Sequence, residues 1–261
     1  MTIHSTPRAA AVFTPFEAGP ARNPGGPATR QRDLLAPCVA LVGCDGSGKS
    51  TLARDLTALL DREAPTRSMY LGLGTGDLGR RIGRIPLVGG IVERFLTNKA
   101  DKAHAAPDKR LPGLATALAM FGFSLARKRR FDRVLAMRRH GVRVITDRYP
   151  QAELAGGFDG PGLSWTRHGS AAVERLAARE RRLYQDMAAY RPTLVIRLNV
   201  TVETALARKS DHTRALLEKK LAIVPTLRFD GARIVDVDAT RPYPEVLATV
   251  LALVQVEALA A

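Results

Sequence analysis

Ala40-Leu41-Val42-Gly43-Cys44-Asp45-Gly46-Ser47-Gly48-Lys49-Ser50-Thr51 organises the chain that follows it. Gly43, Gly48, Lys49 and Ser50 complete a phosphate-binding pattern of glycine, four residues, glycine, lysine and serine. An apolar run over 39–42 precedes it and predicts a strand; the spacing of Leu52, Leu56, Leu59 and Leu60 after it predicts a helix. The pattern therefore sits between a strand and a helix, the context that gives it meaning. Gly46 and Gly48 allow the backbone to wrap closely around phosphate oxygens, with successive N–H groups turned inward as an anion nest. The following helix adds its positive end. Lys49 is expected to reach the β- and γ-phosphates, and the Ser50 hydroxyl to bind Mg²⁺. Such a loop implies a nucleoside triphosphate and magnesium. By itself it does not separate a kinase from a GTPase, an ATPase motor or a transporter subunit. No Asn-Lys-x-Asp guanine signature accompanies it, which favours ATP.

Outward from this loop, strand and helix patterns alternate. Strands are expected near 38–42, 68–73, 142–146, 194–198 and 232–237. Helices are expected near 49–62, 114–139, 171–189, 202–221 and 245–260. This alternation predicts an α/β fold with a mostly parallel five-stranded sheet and helices on both faces. In the long second helix, Leu114, Leu118, Phe121 and Leu125 recur at three- and four-residue spacing and read as its core stripe. Gly141 is placed to end that helix. Residues 1–34, rich in Ala, Pro, Gly and Thr without either period, read as a disordered arm. Residues 35–261 then form one domain, with a basic helical insert at about 74–139 and a lid at about 202–220.

The 261 residues carry a formal net charge of +15. Between Arg80 and Arg148 there are 17 Lys and Arg against 5 Asp and Glu, so the excess is local. A phosphate-rich acceptor would suit this field, as would nucleic acid or an anionic membrane. No zinc spacing, RNA-binding aromatic signature or repeated basic helix is present, and His140 and His168 lack a ligand partner in register. The amino terminus lacks the charged, apolar and cleavage regions of a signal peptide. The apolar-looking run over 111–126 is too short to span a bilayer. Cys38 and Cys44 read as a reduced pair, and a cytoplasmic location is expected.

Asp147-Arg148-Tyr149 follows the third expected strand, where open parallel sheets place ligand groups. An aspartate there can hold Mg²⁺ through water, making Ser50 and Asp147 the metal candidates. The adjacent Arg148 can pair bidentately with a phosphate.

With these pieces in place the chain resembles the thymidylate kinase family of P-loop nucleotide kinases. The resemblance rests on Gly43–Thr51, on Asp147-Arg148-Tyr149, and on Val235-Asp236-Val237-Asp238-Ala239-Thr240-Arg241 near the end of the chain. It covers about residues 37–258. It implies the fold of the P-loop nucleoside triphosphate hydrolases and transfer of the γ-phosphoryl of Mg-ATP to a nucleoside monophosphate such as dTMP. The nucleotide would then be cradled by Gly43, Asp45, Gly46, Ser47, Gly48, Lys49, Ser50 and Thr51. Asp45 would accept a hydrogen bond from a sugar hydroxyl, and Arg148 would hold the acceptor phosphate. In the lid, Arg208 is the first choice for a phosphate or adenine contact, with Arg214 second. Lys49, Asp147, Arg148 and Arg208 thus form the expected catalytic set. Leu198-Asn199 stands where the family often has Leu-Asp, and 151–156 replaces the family's usual pattern after the triplet. These departures widen the expected acceptor to related phosphorylated compounds. The expected partners are a small phosphorylated acceptor and a second copy of the chain. The alternative to a kinase is a nucleotide-dependent switch that acts on nucleic acid or an anionic membrane through the basic region.

Overall fold

The computed structural model describes residues 35–73, 113–155, 158–163, 169–209 and 213–260. The expected arm over 1–34, most of the basic insert and Arg167 and His168 lie outside the described residues. Five strands form one sheet: β1 (Cys38–Gly43), β2 (Thr66–Tyr70), β3 (Arg143–Asp147), β4 (Leu194–Asn199) and β5 (Ile234–Asp238). Their order is β2-β3-β1-β4-β5, and every neighbouring pair runs parallel. The expectation of a mostly parallel sheet becomes, for the described strands, an entirely parallel one. Parallel neighbours need long crossovers, which are supplied here by helices.

β1 lies at the centre and is buried on both faces, which explains why it reads as an unbroken apolar run. Its side chains alternate. Val39 and Leu41 pack with Leu52, Leu56 and Leu60 of α1 (Lys49–Leu60) and with Val246, Val250 and Val254 of α6 (Tyr243–Ala260). Cys38, Ala40 and Val42 face Phe131, Val134 and Leu135 of α2 (Leu114–Arg139), together with Tyr184 and Met187 of α3 (Ala171–Ala188). Two short helices, α4 (Val202–Arg208) and α5 (Arg214–Ile223), follow β4 in the basic segment over 202–220 expected to be a helical hairpin or helix-loop. None of the described helices is long and apolar enough to cross a membrane. Both cysteines are buried and free.

The ends of several elements differ from the sequence expectation. β2 begins and ends earlier, because Asp61 accepts from the Thr66 N–H at 2.9 Å and the strand register fixes Thr66 opposite Arg143. The stripe on α2 is the larger correction. Leu114, Leu118 and Leu125 are exposed, and the buried face is Ala117, Met120, Phe123, Ser124, Arg127, Phe131, Val134, Leu135 and Arg138. The inward face carries Ser124, Arg127 and Arg138, each of which donates to at least one partner, so a hydropathy reading assigns the wrong side. At its end Gly141 adopts φ +76°, with its N–H and that of Val142 donating to Arg138 and Met137 carbonyls. This closes the helix as expected.

Leu56 is completely buried between β1, β3 and α6. Leu56→Ala is expected to cost about 2–5 kcal/mol of stability. A urea titration would read this as a lower midpoint with an unchanged slope.

Candidate nucleotide and acceptor site

The strand register brings the functional residues to one edge. Leu41 lies beside Asp147, Gly43 beside Leu198, and Tyr70 beside Asp147 on the other side. The carboxyl ends of β2, β3, β1 and β4 thus open on the same rim, where open α/β sheets bind ligands.

The phosphate loop is shaped by backbone approaches that only glycine permits. A side chain at Gly43 would meet the Leu198 carbonyl at 2.7 Å, and one at Gly46 would meet the Ala205 carbonyl at 2.7 Å. Gly46 and Gly48 adopt φ +83° and +91°. Gly48 caps α1 without a side-chain acceptor, and the first turn of that helix carries no carboxylate. Its N–H groups are left for an anion. Lys49 is buried and folds back, with its Nζ donating to the Cys44 carbonyl and, at 3.2 Å, to Ser47 Oγ. Burial first, and then the positive charge of Arg148, bring its pKa down to about 8. Thr51 lies exposed in the first turn of α1.

Ser50 and Asp147 meet as the sequence predicts: Ser50 Oγ donates to Asp147 Oδ2 at 2.5 Å. Asp147 is 5% exposed, and its Oδ1 is buried without a hydrogen-bond partner. That orphan oxygen beside a hydroxyl suits a hard cation that takes one carboxylate and fills its other positions with water and phosphate oxygens. No cluster of three or more His, Cys, Asp or Glu side chains that could hold a metal ion occurs among the described residues.

Arg148 adopts φ +72°, and its guanidinium lies between two aspartates. Its Nη2 donates to Asp45 Oδ1 at 2.6 Å and its Nη1 to Asp159 Oδ2 at 3.3 Å. Asp159, then Asp45, raise its pKa above the ordinary arginine range against the effect of burial. Burial pushes the Asp45 carboxyl up, but Arg148 and Lys220 outweigh it and hold the group well below the usual carboxylate range. Asp159 is held down in the same way by Arg148 and Arg127. Arg127, fully buried on α2, donates to Asp159 Oδ1 at 2.6 Å, to the Asp159 carbonyl at 2.8 Å and to Tyr184 Oη at 3.1 Å. A chain of alternating charge, Lys220–Asp45–Arg148–Asp159–Arg127, therefore runs from α5 through the phosphate loop to α2.

Sequence reasoning missed three members of this chain. Lys220, which donates to Asp45 Oδ2, falls inside the lid expected over 202–220 without being singled out there. Arg127 lies in an arginine-rich run that reads as a solvated face, and Asp159 sits in a glycine-rich loop with no pattern. Only the polar position of Arg127 on what proves to be the buried face of α2 could have signalled it. The two lid arginines hold other partners. Arg208 donates to the Ala239 carbonyl at 2.9 Å at the end of β5, and Arg214 pairs with Glu203 at 3.0 Å on the exposed side of the lid. Asp45 is engaged by cations where the resemblance implies a sugar hydroxyl. Tyr149 lies in the core, with its hydroxyl donating to the Tyr190 carbonyl.

A glycine-shaped phosphate loop between a central strand and its helix, in an all-parallel sheet, defines a P-loop protein. No protein-family model matches the chain. Two proteins of Escherichia coli (strain K12) are similar to it along most of their length. The Uncharacterized ATP-binding protein YghR is 43% identical over 218 residues, covering 83% of this chain and 86% of its own. The Uncharacterized ATP-binding protein YghS is 43% identical over 210 residues, covering 80% and 88%. The chain belongs to the family of YghR and YghS.

The buried Lys49 ammonium has a consequence for stability. Its pKa is lower folded than unfolded, so below pH 8 the native state bears the whole cost of a desolvated charge. Stability gains as pH rises from about 8 towards the unfolded value of 10.5. Lys49→Met is expected to melt higher than the parent at pH 7 without nucleotide, by roughly 1–3 kcal/mol. This gain should fade towards pH 10, and Mg-ATP should stabilise the parent alone. Calorimetry across pH, with and without Mg-ATP, measures all of these.

Proposed function

We propose that the protein is an ATP-dependent phosphotransferase of the thymidylate-kinase type, which moves the γ-phosphoryl of ATP to a phosphorylated acceptor such as a nucleoside monophosphate. The observation that carries this reading is Arg148, a desolvated guanidinium beside the phosphate loop whose partner Asp45 belongs to the loop itself. An arginine at that point, outside the loop itself, suits a second anionic group beside the donor phosphates. The names of YghR and YghS as ATP-binding proteins support ATP as the donor.

In this reading the N–H groups of the loop and of the first turn of α1 cradle the donor phosphates. Lys49 exchanges the Cys44 carbonyl for a phosphate oxygen, and the new negative charge restores its proton affinity. Magnesium, held by Ser50 and Asp147, neutralises phosphate charge when bound. Arg148 leaves Asp45 for the acceptor phosphate and keeps Asp159, so its position changes little. An acceptor phosphate oxygen, already ionised at neutral pH, attacks the γ-phosphorus in line, and the bond to the bridging oxygen of ADP breaks. Little is asked of the protein beyond alignment and charge. Arg208, at the end of β5, and Lys220, on α5 beside Asp45, are the lid cations that would answer that charge. Arg214 becomes available if its pairing with Glu203 opens.

The test is a screen of ADP release from Mg-ATP with nucleoside monophosphates, sugar phosphates and their unphosphorylated parents. A phosphorylated acceptor is expected to exceed its parent by roughly 30-fold or more, the effect of leaving a buried guanidinium unpaired. Arg148→Gln should erase most of that preference while sparing ATP binding, and Lys49→Ala should remove most turnover. Equal rates with a compound and its bare parent would falsify the role of Arg148.

A further inference from the structure

Most cations beside the loop and at the carboxyl end of β3 are matched to acceptors, although the buried Nε of Arg127 has none. Arg148 and Lys220 share Asp45, Arg127 has Asp159, and Lys49 rests on a loop carbonyl where the donor phosphates belong. Arg130, one helical turn beyond Arg127 on α2, has no carboxylate among the described residues. Its Nη2 donates to the Gly72 carbonyl at 2.6 Å, just past β2, while its Nε is buried with no acceptor. Burial, followed by the neighbouring Arg127, lowers its pKa below the ordinary arginine value. An arginine stays charged under such pressure, so the cost is borne by the fold.

The surroundings of Arg130 are built rather than incidental. Its guanidinium lies 5.9 Å from the centroid of the Tyr70 ring, within cation–π range. Tyr70 ends β2 opposite Asp147 and remains 43% exposed. Its ring folds back over Gly72 so closely that a Cβ there would fall 2.0 Å from the hydroxyl. Residue 72 must therefore lack a side chain for the ring to lie where it does. A cation pinned on a carbonyl, backed by a ring and lacking a counter-ion, is an arrangement completed by an anion from outside.

We propose that Arg130, backed by Tyr70, binds a second anionic group of the phosphoryl acceptor, so that the acceptor carries one negative group on Arg148 and another on Arg130. This rests on the reading of Arg148 as the holder of the acceptor phosphate. Arg127 reaches Arg148 through Asp159, and Arg130 lies three residues further along the same helix. Arg148 and Arg130 are thus connected through Asp159 and one turn of α2, with Arg127 and Arg130 roughly 5 Å apart along the helix axis. Two guanidiniums along one rim suit an acceptor with two separate phosphate-like groups and set it apart from a nucleotide with a neutral base.

Calorimetric titration of the full chain saturated with Mg-ADP tests the assignment. The probes are two pairs that differ by one phosphate: fructose 1,6-bisphosphate with fructose 6-phosphate, and thymidine 3′,5′-bisphosphate with thymidine 5′-monophosphate. In at least one pair the doubly charged member is expected to bind tenfold or more tightly, the scale of a hydrogen bond to a charged group. Arg130→Gln should bring that pair to parity without weakening its singly charged member, whose unchanged affinity also reports an intact fold. Arg148→Gln should weaken both members alike. If Arg148→Gln leaves both unaffected while Arg130→Gln still erases the preference, the reading of Arg148 fails and that of Arg130 stands. Parity in the parent protein for both pairs, absence of binding by all four probes, or a preference that survives Arg130→Gln overturns the proposal.

Discussion

The closeness of two backbones at Gly43 constrains everything else at the rim. β1 runs beside β4 until the Leu198 carbonyl stands where the Cβ of any other residue would be. The same position lies 2.8 Å from Ser47 Oγ, so the loop curls over the end of its own strand. A methyl group here would have to displace main chain on one side and loop on the other, and backbone in a central parallel strand has little room to give. From this contact the rest follows in order. The loop turns at Gly46 against Ala205 of α4, α1 starts at Lys49, and Ser50 arrives at Asp147. One geometric condition thus links β4, the lid and the candidate metal ligands.

Electrostatics imposes the second condition. Desolvating an ion costs several kcal/mol, and a fold tolerates it only when hydrogen bonds and opposite charge return most of that cost. The chain from Lys220 to Arg127 meets this by alternation, with Asp45 and Asp159 each shared between two cations. Two carboxylates against three cations leave a positive balance, to which Lys49 adds. The rim is therefore stable without ligand and still electropositive. Asp45 is the exchangeable member: it is carried by the loop that contacts nucleotide, whereas Asp159 is anchored through both its side chain and its carbonyl to Arg127. A phosphate displacing Asp45 from Arg148 would leave the deeper half of the chain undisturbed and leave Asp45 to Lys220 on α5 alone. Binding at the rim and movement of the lid are in this way joined through one carboxylate.

Much of this is legible in the sequence where chemistry and position coincide locally. The phosphate loop carries its own spacing, and Asp147-Arg148 follows an apolar strand, so residue order alone places both. The alternation of strands and helices is equally plain, because each strand buried on both faces is a short apolar run. What residue order does not reveal depends on contacts far apart in the chain. Asp45 and Lys220 are separated by 175 residues, and Arg127 and Asp159 by 32, with no periodicity connecting either pair. The stripe of Leu114, Leu118 and Leu125 misleads because hydropathy assumes that the inward face is the apolar one. On α2 the inward face includes Ser124, which donates to Glu180 at 2.5 Å, and Arg127 and Arg138, which donate to carbonyl groups. Partners, not polarity, decide which side is buried.

α2 consequently performs two tasks along one surface. Its carboxyl-terminal half supplies Phe131, Val134 and Leu135 to the core beneath β1, and its middle supplies Arg127 and Arg130 to the rim. Since these residues share a face, rotation or sliding of the helix would move apolar contacts and guanidiniums together. The core under β1 therefore fixes where the cations stand, to the tolerance of close-packed side chains. Glu180 on α3 adds a second tie, accepting from Ser124 on α2 and, at 2.6 Å, from the Leu163 N–H a few residues beyond Asp159. Burial pushes its carboxyl up, but these neutral donors offset part of that shift without adding charge to the rim. The β2–β3 side of the rim is thus held by packed elements, whereas the β4–β5 side is met by the short helices α4 and α5. On the proposed reading, a site made this way would keep the acceptor's cations still and leave movement to the side that closes over the donor, the division of labour that in-line transfer between two phosphates demands.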